Sequence, residues 1–279
     1  MYAMPEYFPR MGPAEALIKS ITRKGLTTGL KLCLDAGDSG SYGGSGQTWA
    51  DRSGGGVDHF LGRNSGVDAN DPTFTGAAGD PSKNTYFALD GGDYFTANTG
   101  AAGYAAALAG WISNIHRDSA KFTLFCWFYP SARQLFCLLG TIGDQAAGDR
   151  GFLWWSSGAS GTLSFALKHG FTGISSTGVY NANAWNCAAL SVDESLGSNN
   201  ALFFMNGTFD ALGSVTYSGP DSGNATNILQ VGATGGTGQS DVRALPNGSR
   251  FSCVSVWEGV ALTQAQIWTL YKATKTRFK

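Results

Sequence analysis

Nucleophilic, hydrolytic or zinc chemistry in this chain would have to come from a small, scattered set of side chains. Its three histidines, His59, His116 and His169, lie far apart, none within four residues of another, so they fail the spacing of paired zinc ligands on a helix. Gly37-Asp38-Ser39-Gly40 matches the string around a nucleophilic serine. In the chain order that goes with that string, a histidine base and its orienting acid come first. Here every histidine follows Ser39, so the match reads as chance. Five cysteines, Cys33, Cys126, Cys137, Cys187 and Cys253, are an odd number with no C-x-x-C pair and no neighbouring histidine. They read as reduced thiols rather than as zinc ligands or a disulfide set. Cys126 in FTLFCWFYP and Cys253 in RFSCVSVW sit where a free thiol acts as a small buried apolar group. No catalytic residue and no zinc site is predicted.

Two weaker constellations remain. Calcium takes oxygen ligands from Asp side chains and loop carbonyls without a fixed motif. The candidates are Asp90 and Asp93 in LDGGDYF, joined by Asp35 or Asp51. The same Asp-Gly pairs also serve simply as turns. Trp154-Trp155 is an aromatic pair in a strand, where one ring must face the core and the other the outside of the sheet. The outer ring, with Tyr180 and Trp185, is a candidate platform for stacking on a sugar; exposed aromatics also serve as protein contacts. Asn206, Asn224 and Asn247 begin Asn-x-Ser/Thr strings, read here as turn chemistry.

Composition bounds what these residues can be attached to. A chain of 279 residues, 43% apolar and 13% aromatic, is long enough to bury a large core. Charged residues are only 14%, and the 40 glycines show no Gly-X-Y period, which excludes both a solvated disordered chain and collagen. A net charge of -1 gives no drive for counterion release from nucleic acid or for attraction to lipid headgroups, so neither partner is expected. No apolar run approaches the roughly 18 to 20 residues of a membrane span. The opening MYAMPEYFPRMGP, with a Glu and three prolines, does not read as a secretory signal. Sixteen Asp against four Glu favour turns over helices.

The elements follow from that bias. Pro13, AEALIKSITRK and Gly25 have the form of a short helix with Leu17, Ile18 and Ile21 on one side. From Leu30 onward, short runs of Val, Leu, Phe, Trp, Tyr and Thr alternate with Gly, Asn and Asp turns, the pattern of an all-β sandwich or barrel. Asn206-Gly207 between apolar runs predicts a tight hairpin, because both turn residues need positive φ. Residues 38 to 84 read as a long loop-like stretch that must pack through Trp49, Phe60 and Phe74. Residues 101 to 115 read as either a helical turn or an ordered loop. Thr263-Gln264-Ala265-Gln266 is a capping box opening a final helix. The expected organisation is an arm over residues 1–29 and one domain over residues 30–279.

Taken in order, LCLDAGDSGSYGGSGQTWADRSGGG, YFALDGGDYF, FTLFCWFYP, NAWNCAALSVD, LFFMNGTF, LQVGA and FSCVSVWEGVALTQAQIWTLY resemble the successive strands of concanavalin A-like, laminin G-type jelly-roll domains, across residues 32 to 271. The first block looks most like versions of this domain in tailed-phage structural proteins. The resemblance implies an all-β, two-sheet antiparallel jelly-roll sandwich of about 12 to 14 strands, with short helices at the N- and C-terminal ends. Some members bind calcium. The glucanases of this superfamily carry Glu-x-Asp-x-x-Glu, placing two carboxylates about 5 to 5.5 Å apart. Here Glu6, Glu15, Glu194 and Glu258 stand isolated, so hydrolysis by that route is not expected.

What the resemblance implies is a non-enzymatic virion protein of a bacteriophage: a capsid- or tail-attached decoration module, assembled in the host cytoplasm among other virion proteins as a homo- or hetero-oligomer. Phe8, Leu17, Ile18 and Ile21 would form its assembly arm. The alternative is a lectin-like module for surface polysaccharide, with or without calcium.

Overall fold

The computed structural model describes residues 14–142, 149–167, 174–210, 216–217, 223–234 and 243–279. The turn-punctuated apolar runs become strands. In chain order they are β1 (Leu30–Asp35), β2 (Thr48–Trp49), β3 (His59–Leu61), β4 (Thr73–Thr75), β5 (Tyr86–Leu89) and β6 (Phe95–Ala97). Next come β7 (Lys121–Tyr129), β8 (Leu135–Gly140), β9 (Phe152–Ser157), β10 (Thr162–Leu167) and β11 (Ile174–Val179). The last are β12 (Asn186–Asp193), β13 (Ala201–Met205), β14 (Thr208–Phe209), β15 (Gln230–Val231) and β16 (Ser249–Glu258). Four α-helices accompany them: α1 (Leu17–Arg23), α2 (Tyr104–Ala109), α3 (Trp111–Asn114) and α4 (Gln264–Thr274). None of the described helices is long and apolar enough to cross a membrane.

The strands form two sheets of eight, and the sequence-based expectation of a two-sheet antiparallel sandwich holds. The first runs β14-β13-β12-β7-β16-β5-β4, with β1 also on β16. The second runs β11-β10-β9-β8-β15-β6-β3-β2. Ten-residue β16 organises the first sheet. It pairs with β7 along its length, with β5 through Ser249–Phe251, and with β1 from Cys253 to Trp257. A bulge between Phe251 and Cys253 separates the two halves. The strand number exceeds the expected 12 to 14 because β2, β14 and β15 are two-residue pairings. Residues 101 to 115, open as helical turn or loop, hold α2 and α3.

Alternation along β7 shows why the central strands read as continuous apolar runs. Phe122, Leu124, Cys126 and Phe128 enter the core between the sheets. Phe125 and Trp127 enter a second core on the outer face, with Cys33, Cys187, Cys253 and Trp257. Helices cover that face: Leu17 and Ile21 from α1, Ile267 and Leu270 from α4, and Phe278 beyond it. A sheet buried on both faces loses the polar half of its alternation. The expected anchors of the long stretch behave similarly: Trp49 is fully buried against Phe87 and Phe95, and Phe74 packs on Tyr42.

The end helices follow local rules. Thr263 accepts from the Gln266 amide while Gln266 Oε1 accepts from the Thr263 amide, completing the capping box of α4. Asn206 (φ 53°) and Gly207 (φ 103°) close the β13–β14 hairpin, with Met205 opposite Thr208. Helix α1 is shorter than Pro13 to Gly25 suggested, because its first amide, Leu17 N, donates to the buried Asp35 carboxylate at 2.7 Å and fixes the start there.

One buried titratable group makes the fold pH-sensitive. His59 in β3 is fully buried, donates Nδ1–H to the Val57 carbonyl at 3.0 Å, and leaves Nε2 without a partner among the described residues. Burial lowers its pKa to about 4. Protonation thus favours the unfolded chain, and stability present above pH 6.5 is lost as pH falls toward 4. The shift corresponds to about 3 kcal/mol at full extent. An NMR titration should show the His59 ring still neutral at about pH 5.5; a midpoint near the ordinary value of about 6.5 would contradict this.

Candidate functional site

The four proposed sugar-stacking aromatics do not meet. Trp154 is fully buried between the sheets. Tyr180 is buried there too, against Phe128 and Phe136, with its hydroxyl 2.8 Å from Ser156 Oγ. These two are core residues, because their positions on β9 and just after β11 face inward. Trp155 does lie on the outer face of its sheet, where it packs on Cys137, Leu153 and Ala166 beneath the Arg243 guanidinium, 5.0 Å from the ring centroid. Trp185 lies apart from the other three, on the opposite side of the sandwich and the outer face of the first sheet.

The candidate calcium ligands have other employment. Asp35 is fully buried, ion-pairs with Arg277 Nη1 at 2.6 Å, and accepts from the amides of Leu17 and Gly37. Asp51 accepts from Cys33 N and Ser53 N through Oδ1, and from the Ser53 hydroxyl through Oδ2. Asp90 and Asp93 are adjacent, with Asp93 Oδ2 2.9 Å from Asp90 N. Burial, with the neighbouring Asp90 charge, pushes Asp93 up to about 7. Among the described residues no group of three or more His, Cys, Asp or Glu is placed to hold a metal, and Asp35 and Asp51 are already engaged by the partners above. Of the expected arm, Leu17 and Ile21 are fully buried in the chain's own second core and Ile18 packs at its edge. While α1 is docked, Leu17 and Ile21 offer no surface to a neighbour, whereas Ile18 stays partly exposed. Phe8 and His169 lie outside the described residues.

What the fold does assemble is a groove around Trp185. The C-terminal turn after α4 lays Phe278 on Trp127, stacked with ring centroids 4.2 Å apart, and against Trp185 at 4.8 Å. Tyr271 stacks on Trp127 from the helix side at 5.8 Å. Trp127, Trp185, Tyr271 and Phe278 line an open groove of about 260 Å³ with Asn181, Asn206, Lys275 and Lys279. The floor is rigid. Asn186 bonds Asn181 N, Asn181 O and Ala184 O, and accepts from Asn206 Nδ2, fixing the turn that carries Trp185. Tyr271 donates its hydroxyl to Asn206 O at 3.1 Å, and burial raises its pKa, so it stays a donor at neutral pH.

The chemistry of this groove is aromatic and hydrogen-bonding. The exposed Asn181 makes no hydrogen bond through its carboxamide among the described residues. Lys275 lies over Tyr271 at 5.5 Å from the ring centroid. Among the described residues no acidic side chain lines the groove. Sequence reading found Trp185 and missed its partners. One local signal was present: Trp268, Tyr271, Lys272 and Lys275 recur at helical i, i+3, i+4 spacing, and both lysines fold back over the rings.

Residues 89–268 match the family model of the concanavalin A-like lectin/glucanases superfamily, and the chain belongs to that superfamily. No curated protein matches it in sequence. Among solved structures, domain 4 of a GH43 extracellular arabinanase from Geobacillus stearothermophilus, in complex with arabinotriose, aligns with a TM-score of 0.56 at 13% identity, covering 86% of this chain and 97% of that one. A mutant Trypanosoma rangeli sialidase with trans-sialidase activity aligns at 0.53 and 12% identity, over 94% of this chain and 39% of that one. The CBM40 of Ruminococcus gnavus IT-sialidase aligns at 0.47 and 17% identity, over 65% and 94%. These likenesses describe the fold.

The groove depends on the Arg277 anchor beside Phe278. Arg277→Met leaves the Asp35 carboxylate buried without its cation, which should cost about 3 to 5 kcal/mol in urea unfolding. The double variant D35L/R277M, which removes both charges, should recover much of that loss. Equal stability of R277M and wild type would contradict the assignment.

Proposed function

We propose, from membership of this superfamily, that the chain is a non-catalytic carbohydrate-binding module whose site is the groove around Trp185. The observation that carries this reading is the part-exposed pair Trp185 and Tyr271, joined over the buried Trp127 and Phe278, beside an Asn181 carboxamide without a partner among the described residues. Sugar rings present apolar C–H faces to aromatic rings and hydroxyls to amide and ammonium groups, and this groove offers both kinds of contact. The arabinanase domain of similar fold, in complex with arabinotriose, supports the reading. The retaining hydrolases need two carboxylates about 5 to 5.5 Å apart, whereas among the described residues the groove lining has no acidic side chain.

Placement on a phage virion stays a proposal resting on the sequence resemblance of residues 32 to 56. It is compatible with glycan binding, since a decoration module can hold a surface polysaccharide. Removal of residues 1–13, which takes away Phe8 and leaves the core residues Leu17, Ile21 and Leu26 in place, tests the arm: lost incorporation into particles with the sandwich still folded supports it, and normal incorporation overturns it.

The groove is tested on a glycan array with wild type, W185A and W155A. Wild type should bind, W185A should lose at least about tenfold in affinity, equivalent to about 1.4 kcal/mol, and W155A should match wild type. No binding to any glycan, or loss in W155A with retention in W185A, would overturn the assignment.

A further inference from the structure

Beyond Trp185 the aromatic row continues to a cation. Tyr86 and Tyr129 contact Trp185 with ring centroids 6.1 and 5.8 Å away. The Arg250 guanidinium lies over both tyrosines, 4.7 and 4.5 Å from their centroids. Arg250 stands directly opposite Tyr129 in the β16–β7 pairing and opposite Ala88 of β5, so it shares the outer face with Trp127 and Trp185. Its position is set by the sheet rather than by a loop.

Other arginines of this chain are consumed by the fold. Arg277 is paired with Asp35, Arg52 with Asp38, and Arg23 with Glu15. Arg250 has no ion pair and no side-chain hydrogen bond among the described residues, yet two rings hold it in place. Arg250 is half-buried, neither a solvated surface residue nor a satisfied core one. Lys275 and Lys279 at the far side of the groove are likewise without an acidic partner among the described residues. The row thus presents cations at both ends, with aromatic rings between and, among the described residues, no carboxylate along the groove lining.

Resting on the groove reading, we infer that the ligand is an anionic polysaccharide, and that Arg250 is the residue that recognises the carboxylate of a sugar unit next to the one stacked at Trp185. A guanidinium held on aromatic faces keeps N–H donors in a planar fork that matches a carboxylate's two oxygens. Prior ordering by Tyr86 and Tyr129 lowers the entropy lost on binding. A neutral glycan would leave this fork without an acceptor, whereas a uronic acid polymer supplies one on each residue.

The test compares polygalacturonate with its carboxyl-reduced counterpart by calorimetry, using wild type, R250Q, R250K and W185A, with thermal unfolding as the check on folding. At about 50 mM salt wild type should prefer the acidic polymer by about tenfold or more, and the preference should shrink as salt rises. R250Q should bring the two affinities within about twofold, and R250K, with charge but no fork, should fall between. Equal affinities in wild type, or an undiminished preference in R250Q, overturn the inference. Binding of both polymers equally, abolished in W185A, would do so while leaving the groove reading intact. A wild type that binds neither polymer also overturns it.

Discussion

A buried charge pair joining the two ends of the chain decides what the outer face of the first sheet looks like. Asp35 closes β1, fully buried, and its two oxygens meet Arg277 from the C-terminal turn and Leu17 N from the start of α1. Burying an ion pair is a weak source of stability, because desolvation offsets most of the attraction. Its value here is positional. With Arg277 held, Phe278 must fall on Trp127 and beside Trp185, and the groove exists only because that ring is there.

The same geometry explains the unusual apolarity of the central strands. A sandwich needs one apolar face per sheet, but β1, β7, β12 and β16 carry two, since α1, α4 and Phe278 lie over the outer one. The five cysteines are all free and buried, three of them in this second core. Desolvation drives their pKa values up, to about 12 for Cys137, so they stay as inert thiols. Where the helical cover ends, the aromatic face emerges as the row from Tyr271 through Trp185 to Tyr86. The proposed binding surface is thus the uncovered margin of a core. That accounts for its rigidity and for aromatic rings standing where a surface would ordinarily be polar.

Features that depend on neighbouring residues were legible in the sequence. The Asn206-Gly207 hairpin, the Thr263 capping box and the inward-outward split of Trp154 and Trp155 each follow from a rule spanning a few residues. The order of the strand motifs carried the fold. The site was not legible, because Trp127, Trp185, Tyr271 and Phe278 come from four separate elements joined only by sheet order and the Asp35–Arg277 pair. Asp35, Leu17, Ile21 and Tyr180 have side chains suited to binding or ligation, but burial and partners supplied by distant segments place them in the interior, which no local pattern announces. Arg250 passed unnoticed because a single arginine in a strand has no local signature, and only the β5 and β7 registers place it between two tyrosines.

Indole N–H signals give the most direct view of the central claim, that the ligand surface is the Trp185 row on the helix-covered sheet. In an NMR titration with an oligosaccharide that the protein binds, the account predicts that the Trp185 signal shifts in proportion to saturation, while Trp49 and Trp154, buried between the sheets, stay fixed. A saturable shift of Trp155 with Trp185 unmoved would place the site on the other face and contradict it.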